Sequence, residues 1–411
     1  MRKHLFLSAI FGSFGMVGVL LSGCGPAAEQ SNSPTVSQQS VVSQKQTDTG
    51  QPVSQQMSPP SQNVTVIGQQ RAPLQQVPTL KRITAIDFPD DQHGFVAGAT
   101  EDAFGPSLLV ETSDGANHWN LVTQFQKTVW ALRFATLQQG YVVTQQGGTN
   151  GQQNLLSLET TKDGGQHWST VWEKTVSLDQ DVADPSNAKI DLKTGHDVAL
   201  LNGQLLFSTD DGVQWKEMAL PKGWVAIDMI WRDARNGLVV ARSAEKTSFA
   251  TALLYTSDGG KTWQQTASPV KMQAQPMALR VATDGQQWWY YAKDSTNMRG
   301  LLYTSSDLTR GWKRVNGDLA DGRKSTAVFA FTTAKDGLIG DNPGAGPIEG
   351  NLWQTHDGGR HWSTVFGQDR TVGITAIDQK GERVAGVFMQ GQKTIANIFW
   401  NMPKGGWKVI F

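Results

Sequence analysis

Cysteine is nearly absent from this chain, since Cys24 is the only one among 411 residues. A single thiol excludes an intramolecular disulfide, a cysteine-based zinc cluster and an iron–sulfur centre. An excess of either charge is also missing, because 36 Lys and Arg balance 36 Asp and Glu. Proteins that coat nucleic acid carry a basic surface, so we expect no nucleic-acid partner. We also expect neither a cofactor nor a metal ion.

Long apolar runs are missing as well, except at the N-terminus. Residues 5–21 form an apolar stretch behind Arg2 and Lys3, with the length of a signal-peptide core and a little short for a membrane span. The stretch ends in Leu21-Ser-Gly-Cys24, which resembles the bacterial lipobox. The resemblance implies that 1–23 is a lipoprotein signal peptide and that Cys24 carries a lipid. An ordinary signal peptide with an incidental cysteine is the alternative.

Residues 24–78 contain no aromatic side chain and few charges, whereas Gln, Ser, Pro, Val and Thr dominate. Such a segment cannot bury enough apolar surface to offset the entropy that ordering the chain would cost. The sequence therefore predicts a disordered tether between the lipid on Cys24 and the rest of the protein. We expect the mature chain to be attached to the cell membrane on its extracytoplasmic face, where acyl chains give stable anchoring.

The remaining residues, 79–411, contain a repeat. The pattern Ser/Thr-x-Asp-x-Gly-x-x-Trp occurs in full four times, and Ala116 and Thr309 replace its glycine in two further copies. The tryptophans that end the copies are spaced 45 to 50 residues apart: Trp119, Trp168, Trp215, Trp263, Trp312, Trp362 and Trp407. Units of this length hold four short strands, and a regular series of such units is typical of a β-propeller.

The repeat resembles the Asp-box, or BNR repeat, of sialidases, the sortilin ectodomain, oligoxyloglucan-specific glucanases and photosystem-II assembly factors. The resemblance implies an all-β fold, a seven-bladed β-propeller of four-stranded antiparallel blades, in which each box is a hairpin turn between the third and fourth strands. The residue types fit a structural role, because an Asp carboxylate accepts backbone N–H groups across a tight turn and Trp buries a large flat surface. The box residues that we expect to be structural, not catalytic, are Asp114, Trp119, Asp163, Trp168, Asp210, Trp215, Asp258, Trp263, Asp307, Trp312, Asp357 and Trp362.

A second periodic feature lies in the predicted first strand of each unit, where a polar residue usually follows an alanine by two positions. Side chains two apart on a strand share a face, and the innermost strands of a propeller surround its axis. The sequence thus predicts a polar ring around a central channel: Asp87, Arg133, Asp191, Asp228, Arg280, Thr332 and Asp378. Two interpretations remain open, either salt bridges that join neighbouring blades or a polar mouth that binds a ligand or partner.

No catalytic constellation is recognisable, and we assign no catalytic residue. The Phe/Tyr-Arg-Ile-Pro stretch of sialidases is missing, and the chain has room for one propeller where the glucanases usually pair two. We expect a non-catalytic binding or scaffold propeller, a monomer, that engages a protein or glycan of the cell envelope. A glycoside hydrolase of the Asp-box type is the alternative, and it would need two carboxylates about 5–10 Å apart. The aromatic run 288–291 fits either core packing or stacking against a sugar or peptide.

Overall fold

The computed structural model describes residues 77–101, 105–147, 153–177, 187–245, 247–272, 274, 276–294, 300–308, 311–315, 326–341, 351–366, 371–378, 380–390, 393–402 and 407–411. The predicted signal peptide, Cys24 and all but the last two residues of the predicted tether lie outside these ranges. Every regular element within them is a β-strand. The same residues contain no helix with the length and apolar character that a membrane span requires.

The strands form seven sheets, which we number as blades in chain order. Blade 1 contains β1 (Arg82–Asp87), β2 (Gly94–Ala99), β3 (Leu108–Thr112) and β4 (Asn120–Gln124). Blade 2 contains β5 (Thr128–Phe134), β6 (Gly140–Gly147), β7 (Gln153–Thr161) and β8 (Ser169–Ser177). Blade 3 contains β9 (Lys189–Asp191), β10 (Asp197–Leu201), β11 (Gln204–Ser208) and β12 (Lys216–Met218). Blade 4 contains β13 (Trp224–Trp231), β14 (Gly237–Ser243), β15 (Thr251–Thr256) and β16 (Gln264–Ala267).

The last three blades repeat the same order. Blade 5 contains β17 (Pro276–Thr283), β18 (Trp288–Asp294), β19 (Leu301–Ser305) and β20 (Lys313–Arg314). Blade 6 contains β21 (Thr326–Phe331), β22 (Gly337–Asp341), β23 (Leu352–Thr355) and β24 (Ser363–Phe366). Blade 7 contains β25 (Thr371–Ile377), β26 (Arg383–Gln390), β27 (Lys393–Asn401) and β28 (Trp407–Val409).

The seven sheets close into a ring. Within each sheet, consecutive strands pair antiparallel, and the first strand of each blade contacts the first strand of the next. The series returns from β25 to β1, so blade 7 lies beside blade 1. The predicted all-β, seven-bladed β-propeller with four antiparallel strands per blade is therefore confirmed. Blade 7 takes all four of its strands from the C-terminal part of the chain.

The core consists of seven apolar clusters, one at each blade–blade interface. A strand in the middle of a blade faces a neighbouring sheet on both sides, and β2 is accordingly buried at every residue. Such strands read as continuous apolar runs, without the polar–apolar alternation of a one-sided sheet. The run Trp288–Tyr291 belongs to this core, because all four side chains are at most 4% exposed. Of its two interpretations, core packing is the one that the structure favours.

The Asp-box residues lie in the hairpins between third and fourth strands. In blade 4, the hydroxyl of Thr256 donates to the Asp258 carboxylate at 2.7 Å and accepts the N–H of Gly260 at 2.8 Å. The same carboxylate accepts the N–H of Thr262 at 2.9 Å and its hydroxyl at 2.5 Å. These bonds, first the one from the Thr262 hydroxyl, lower the pKa of Asp258 to about 2. An exposed carboxylate that satisfies turn amides serves the local structure.

The same turn recurs with small changes in other blades. In blades 2 and 6 the box tryptophan closes the turn, since the indole N–H of Trp168 and Trp362 donates to the carbonyl of Gly165 and Gly359. Blade 5 has a different turn, in which the hydroxyl of Ser305 donates to a backbone carbonyl. Its glycine position is Thr309 in the sequence, which explains why this copy departs from the others.

Candidate functional site

A cavity of about 370 Å³ lies on the propeller axis and is lined by the first strand of every blade. Four of the alanines that precede a predicted ring residue by two positions belong to its wall: Ala85, Ala131, Ala330 and Ala376. Small side chains suit this position because seven strands converge on the axis. The volume is within the range of about 300–1,000 Å³ that is usual for ligand pockets.

Five of the seven residues predicted to form the polar ring line this cavity: Arg133, Asp191, Asp228, Arg280 and Asp378. The other two are placed differently. Asp87 is 2% exposed and does not line the cavity, but its carboxylate accepts the guanidinium of Arg133 at 2.6 Å. Thr332 is exposed beyond the end of β21.

The polar residues occupy two levels of the channel. Asp87, Arg133 and Asp191 each pair with the second residue of the neighbouring second strand, close to the turn between the two strands. We call this the turn level. Asp228 and Arg280 pair instead with the fourth residue of β14 and β18, further along the axis.

Lys189 of blade 3 lies at the same height as Asp228 and Arg280, because it pairs with the fourth residue of β10. We call this the entry level, since it lies toward the ends where the first strands begin. The six side chains form a continuous polar track that runs across blades 1 to 5: Asp87, Arg133, Asp191, Lys189, Asp228 and Arg280. The track crosses from one level to the other in blade 3.

At the turn level, the carboxylates of the polar track join neighbouring blades. Asp87 accepts the backbone N–H of Phe134 at 2.7 Å in addition to the guanidinium of Arg133. Asp191 accepts the N–H of Trp231 at 2.7 Å and the ammonium of Lys193 at 2.7 Å. Each carboxylate therefore accepts one backbone N–H of the next blade and binds one cation, which comes from the next blade for Asp87 and from the same blade for Asp191.

At the entry level, the carboxylate of Asp228 also joins neighbouring blades. Its carboxylate accepts the N–H groups of Val281 at 2.9 Å and of Met229 at 2.8 Å. The ammonium of Lys189 lies 3.1 Å from it. Arg280 differs from all of these, because among the described residues its guanidinium donates only to the carbonyl of Leu279, at 3.0 Å. Within the described part of the chain, no carboxylate lies at ion-pair distance from Arg280.

The opposite wall of the channel is apolar. The turn level is completed in blades 4 to 7 by Ile230, Ala282, Ala330 and Ile377, which pair with the second residue of their second strands. Blade 6 places Val328 at the entry level, beside Arg280 of blade 5. The cavity is thus one-sided, because the polar track lies on blades 1 to 5, whereas blades 6 and 7 line it mainly with apolar side chains, apart from Thr375 and Asp378.

Asp378 lies at the edge of the cavity but does not offer its carboxylate to it. Its side chain is 0% exposed and is paired with the guanidinium of Arg383 at 3.3 Å. Burial raises the pKa of Asp378 to about 6. A raised pKa is typical of a general acid, but a sealed carboxylate cannot reach a substrate. The described residues contain no group of three side chains that could hold a metal ion.

Comparisons with known proteins agree with the fold. The family model for sortilin and neurotensin receptor 3 (Sortilin-Vps10) matches residues 203–339, roughly a third of the chain. A comparison with the curated proteins found no match. The resemblance to Asp-box propellers that the repeat predicts is confirmed by the sortilin match and the seven-bladed ring.

Among solved structures, YCF48 bound to D1 peptide is 17% identical, with 78% of this chain and 94% of that chain covered and a TM-score of 0.49. YCF48 from Cyanidioschyzon merolae is 15% identical over 79% of this chain and 94% of that chain, with a TM-score of 0.47. An ancestral GH74 enzyme is 12% identical over 82% of this chain, with a TM-score of 0.50, and the matched part is 47% of that enzyme. At these identities the likeness concerns the fold. The chain is a seven-bladed Asp-box β-propeller.

Proposed function

We propose that this protein is a non-catalytic binding propeller, in which the axial channel receives part of a protein or glycan of the cell envelope. The observation that carries the proposal is the one-sided channel. The carboxylates of Asp87, Asp191 and Asp228 bind backbone N–H groups of the next blade. Arg280 and the apolar side chains of the cavity wall can therefore contact a ligand. Ligand pockets typically combine an apolar lining with a few polar groups of this kind.

The proposal includes the attachment of the propeller to the membrane. The lipobox-like Leu21-Ser-Gly-Cys24 supports a lipid on Cys24, and the polar composition of residues 25–78 supports a flexible tether. A tethered binder samples partners near the membrane at a high effective concentration. Fractionation of cells tests this part. We expect the full chain in the membrane fraction and a Cys24→Ala variant in the soluble fraction, and equal distribution of the two would contradict it.

The glycoside hydrolase alternative has less support from the channel. Asp191 and Asp228 are each occupied by a lysine and by backbone N–H groups of a neighbouring blade. Asp378, with its raised pKa, is sealed behind Arg383. Hydrolysis of a glycosidic bond needs one carboxyl that donates a proton and one free carboxylate in the same cleft. Turnover of a polysaccharide or sialoside panel by the purified protein would reverse this preference.

Crosslinking in native membranes tests the binding function. We expect the full-length lipidated chain to crosslink reproducibly to one envelope partner, and an Ala330→Tyr variant to lose that partner because the larger side chain fills the channel. Ala234→Tyr is the matched control, since Ala234 lies in a turn between strands and does not line the cavity. Thermal unfolding of both variants verifies that they fold. Capture of the same partner by wild type and by Ala330→Tyr would exclude the channel as the binding site.

A further inference from the structure

The entry face is the face of the ring where the first strands begin, and in blade 4 it carries exposed apolar side chains. Phe249, in the connection between β14 and β15, is 42% exposed, and Met277, the second residue of β17, is 36% exposed. Ala252 pairs with Ala267, so the connection that contains Phe249 leaves the blade beside residue 268. The segment 268–276 then crosses the face from β16 at the rim to β17 at the axis. Phe249 and Met277 thus lie at the two ends of one surface strip.

The segment between the two ends of this strip is apolar and basic. Val270 and Met272 pack against the core between blades 4 and 5, so Lys271 between them is turned outward and is exposed. Residues 268–276 contain no acidic side chain. Glu245 is the nearest exposed acid of the neighbouring connection, and its carboxylate accepts the hydroxyl of Thr247 at 3.4 Å. Apolar side chains next to a lysine are typical of surfaces that bind at a membrane interface.

The chain that precedes the propeller joins it on the same face. The backbone N–H of Lys81 donates to the carbonyl of Ala99, the last residue of β2, at 2.9 Å, which places residues 77–81 at the entry face. In the proposed attachment, about fifty residues lie between the lipid on Cys24 and this point, and a flexible chain of that length spans about 40 Å. The entry face therefore stays within reach of the bilayer, and the high effective concentration makes a weak contact sufficient.

The opposite face, which carries the Asp-box hairpins, has a different character. Val213 is 60% exposed there, but it follows Asp210 and Asp211. Leu137 is 37% exposed and lies beside the box hairpin of blade 2, which contains Asp163. Carboxylates next to an apolar side chain oppose its approach to anionic lipid. Of the two faces, the entry face is thus the one whose charge complements a bilayer.

We propose that the entry face of blade 4 docks on an anionic phospholipid bilayer, with Phe249 and Met277 among the lipids and Lys271 at their phosphate groups. This inference rests on the proposed membrane attachment and specifies which face of the propeller meets the membrane. The Asp-box hairpins then point away from the bilayer. Because the contribution of Lys271 is electrostatic, the contact weakens as the salt concentration rises.

Vesicle binding by the lipid-free chain 25–411, which retains every strand of the ring, tests the contact without the anchor. We expect this chain to sediment with vesicles of phosphatidylglycerol and phosphatidylcholine, and to bind pure phosphatidylcholine vesicles about five-fold more weakly. Phe249→Ser combined with Met277→Ser should weaken binding to the anionic vesicles about ten-fold. Lys271→Gln should weaken it about five-fold. Absence of binding to the anionic vesicles, or equal binding by wild type and the double serine variant, would overturn the inference.

Matched controls come from the opposite face. Val213→Ser removes an apolar side chain that is more exposed than Phe249, and Lys261→Gln removes an exposed lysine from the box hairpin of blade 4. Both variants should bind the vesicles as wild type does, and thermal unfolding verifies that all variants fold. Losses in these controls as large as those in the entry-face variants would exclude the entry face as the docking surface.

A fluorescent label reports the orientation directly. The chain 25–411 contains no cysteine, so Phe249→Cys or Val213→Cys introduces a unique thiol for an NBD fluorophore. We expect the emission at position 249 to rise and shift to shorter wavelength on the anionic vesicles, and the emission at position 213 to stay unchanged. The reverse result would place the opposite face on the membrane. Should the double serine variant unfold, this comparison still decides the question.

Failure of this inference is distinguishable from failure of the proposed function. If Cys24→Ala moves the protein to the soluble fraction but the chain 25–411 does not bind the vesicles, the lipid alone attaches the protein and only the docking inference is wrong. If wild type and Cys24→Ala distribute equally, the proposed attachment is wrong, and vesicle binding by the chain 25–411 decides separately whether the entry face contacts lipid.

Discussion

At the scale of single residues, the box turn depends on a backbone conformation that favours glycine. The fifth box position has a positive φ, for example 92° at Gly165 and 83° at Gly260. In blade 1 that position is Ala116, whose φ is 68°. The N–H of Ala116 still donates to the hydroxyl of Thr112 at 3.0 Å, so the turn retains its hydrogen bond with a strained residue. A left-handed conformation costs an alanine about 1–2 kcal/mol.

Replacement of that alanine by glycine is expected to stabilise the protein. The gain from Ala116→Gly exceeds the entropy that glycine loses on folding, so we expect about 0.5–1 kcal/mol of additional unfolding free energy. Urea denaturation measures it. Ala234→Gly is the control, because Ala234 lies in a turn without a positive φ and should lose about 0.4–1 kcal/mol. A destabilised Ala116→Gly variant would show that the turn is not strained.

The box contacts could be predicted from the sequence because they are local. Thr256 and Asp258 satisfy amides no more than four residues away, so a short motif contains the whole interaction. The interactions of the Arg280 side chain could not be predicted in this way. That no described carboxylate pairs with Arg280 depends on the side chains of blades 4 and 6, which are distant in sequence.

At the scale of strands, a repeated pair joins the first two strands of four blades. The second strand begins with a glycine, and an aromatic side chain of the first strand segment covers it: Phe88 on Gly94, Phe134 on Gly140, Trp231 on Gly237 and Phe331 on Gly337. A Cβ added to Gly140 would lie 2.7 Å from the ring of Phe134. The glycine therefore leaves room for an aromatic ring that packs flat on the backbone. A glycine that the sequence marks as the end of a turn is thus also required for packing.

Substitution of this glycine is expected to be costly. Gly140→Ala would displace the ring of Phe134, which stacks on Phe95 of blade 1 at a centroid distance of 3.6 Å. Overpacking of this kind costs about 1–3 kcal/mol. Gly147→Ala, at the other end of β6, should be neutral or slightly stabilising, because its Cβ would meet only the side chain of Asn154 at 3.9 Å. Equal effects of the two variants on the thermal midpoint would contradict the packing explanation.

The register of the first strands is the element-scale feature that the sequence did not reveal. The spacing of alanine and polar residue suggested one ring, but Asp228 and Arg280 lie at a different level from Arg133. Strands β13 and β17 continue for three residues beyond these positions, whereas β5 ends one residue after Arg133. Where a strand ends depends on the turn that follows and on bulges, and a two-residue pattern contains neither.

At the scale of the whole molecule, the meeting of blade 7 with blade 1 is the only blade junction without a connecting chain segment. Arg383 lies at this seam and is 1% exposed. Its guanidinium pairs with Asp378 at 3.3 Å and with Asp91 of the first blade at 2.9 Å. The same group lies over the rings of Phe88 and Trp400, at 4.5 and 4.7 Å. Repeat spacing predicted seven blades, but Asp91 and Phe88 are almost 300 residues from Arg383 in the sequence, and no repeat indicates these contacts.

Loss of Arg383 is therefore expected to weaken ring closure in a pH-dependent way. Arg383→Met leaves the buried carboxylate of Asp378 without its cation, which costs about 3–5 kcal/mol when the carboxylate is ionised. Because the pKa of Asp378 is about 6 in the folded protein and near 3.8 when unfolded, its contribution to stability is complete below pH 3.8 and is lost as the pH rises through 6. Without Arg383 the folded pKa rises further, so the variant should be penalised more at pH 7.5 than at pH 5.

Urea denaturation at the two pH values measures the effect of the buried Asp378 charge on stability. Hydrogen exchange shows whether the loss of Arg383 weakens the junction between blades 7 and 1. Asp378→Asn removes the buried charge, so adding Arg383→Met to Asp378→Asn should lower the unfolding free energy by nearly the same amount at both pH values. Arg133→Met is the control, because Arg133 pairs with Asp87 across the junction of blades 1 and 2, which the backbone also connects. This variant should leave amide hydrogen exchange in blade 7 unchanged. Faster exchange confined to β1 and β25–β28 in Arg383→Met would place the defect at the seam, because the other six interfaces stay linked by the backbone. Uniform acceleration around the ring would mean that Arg383 contributes to global stability without a particular role in closure.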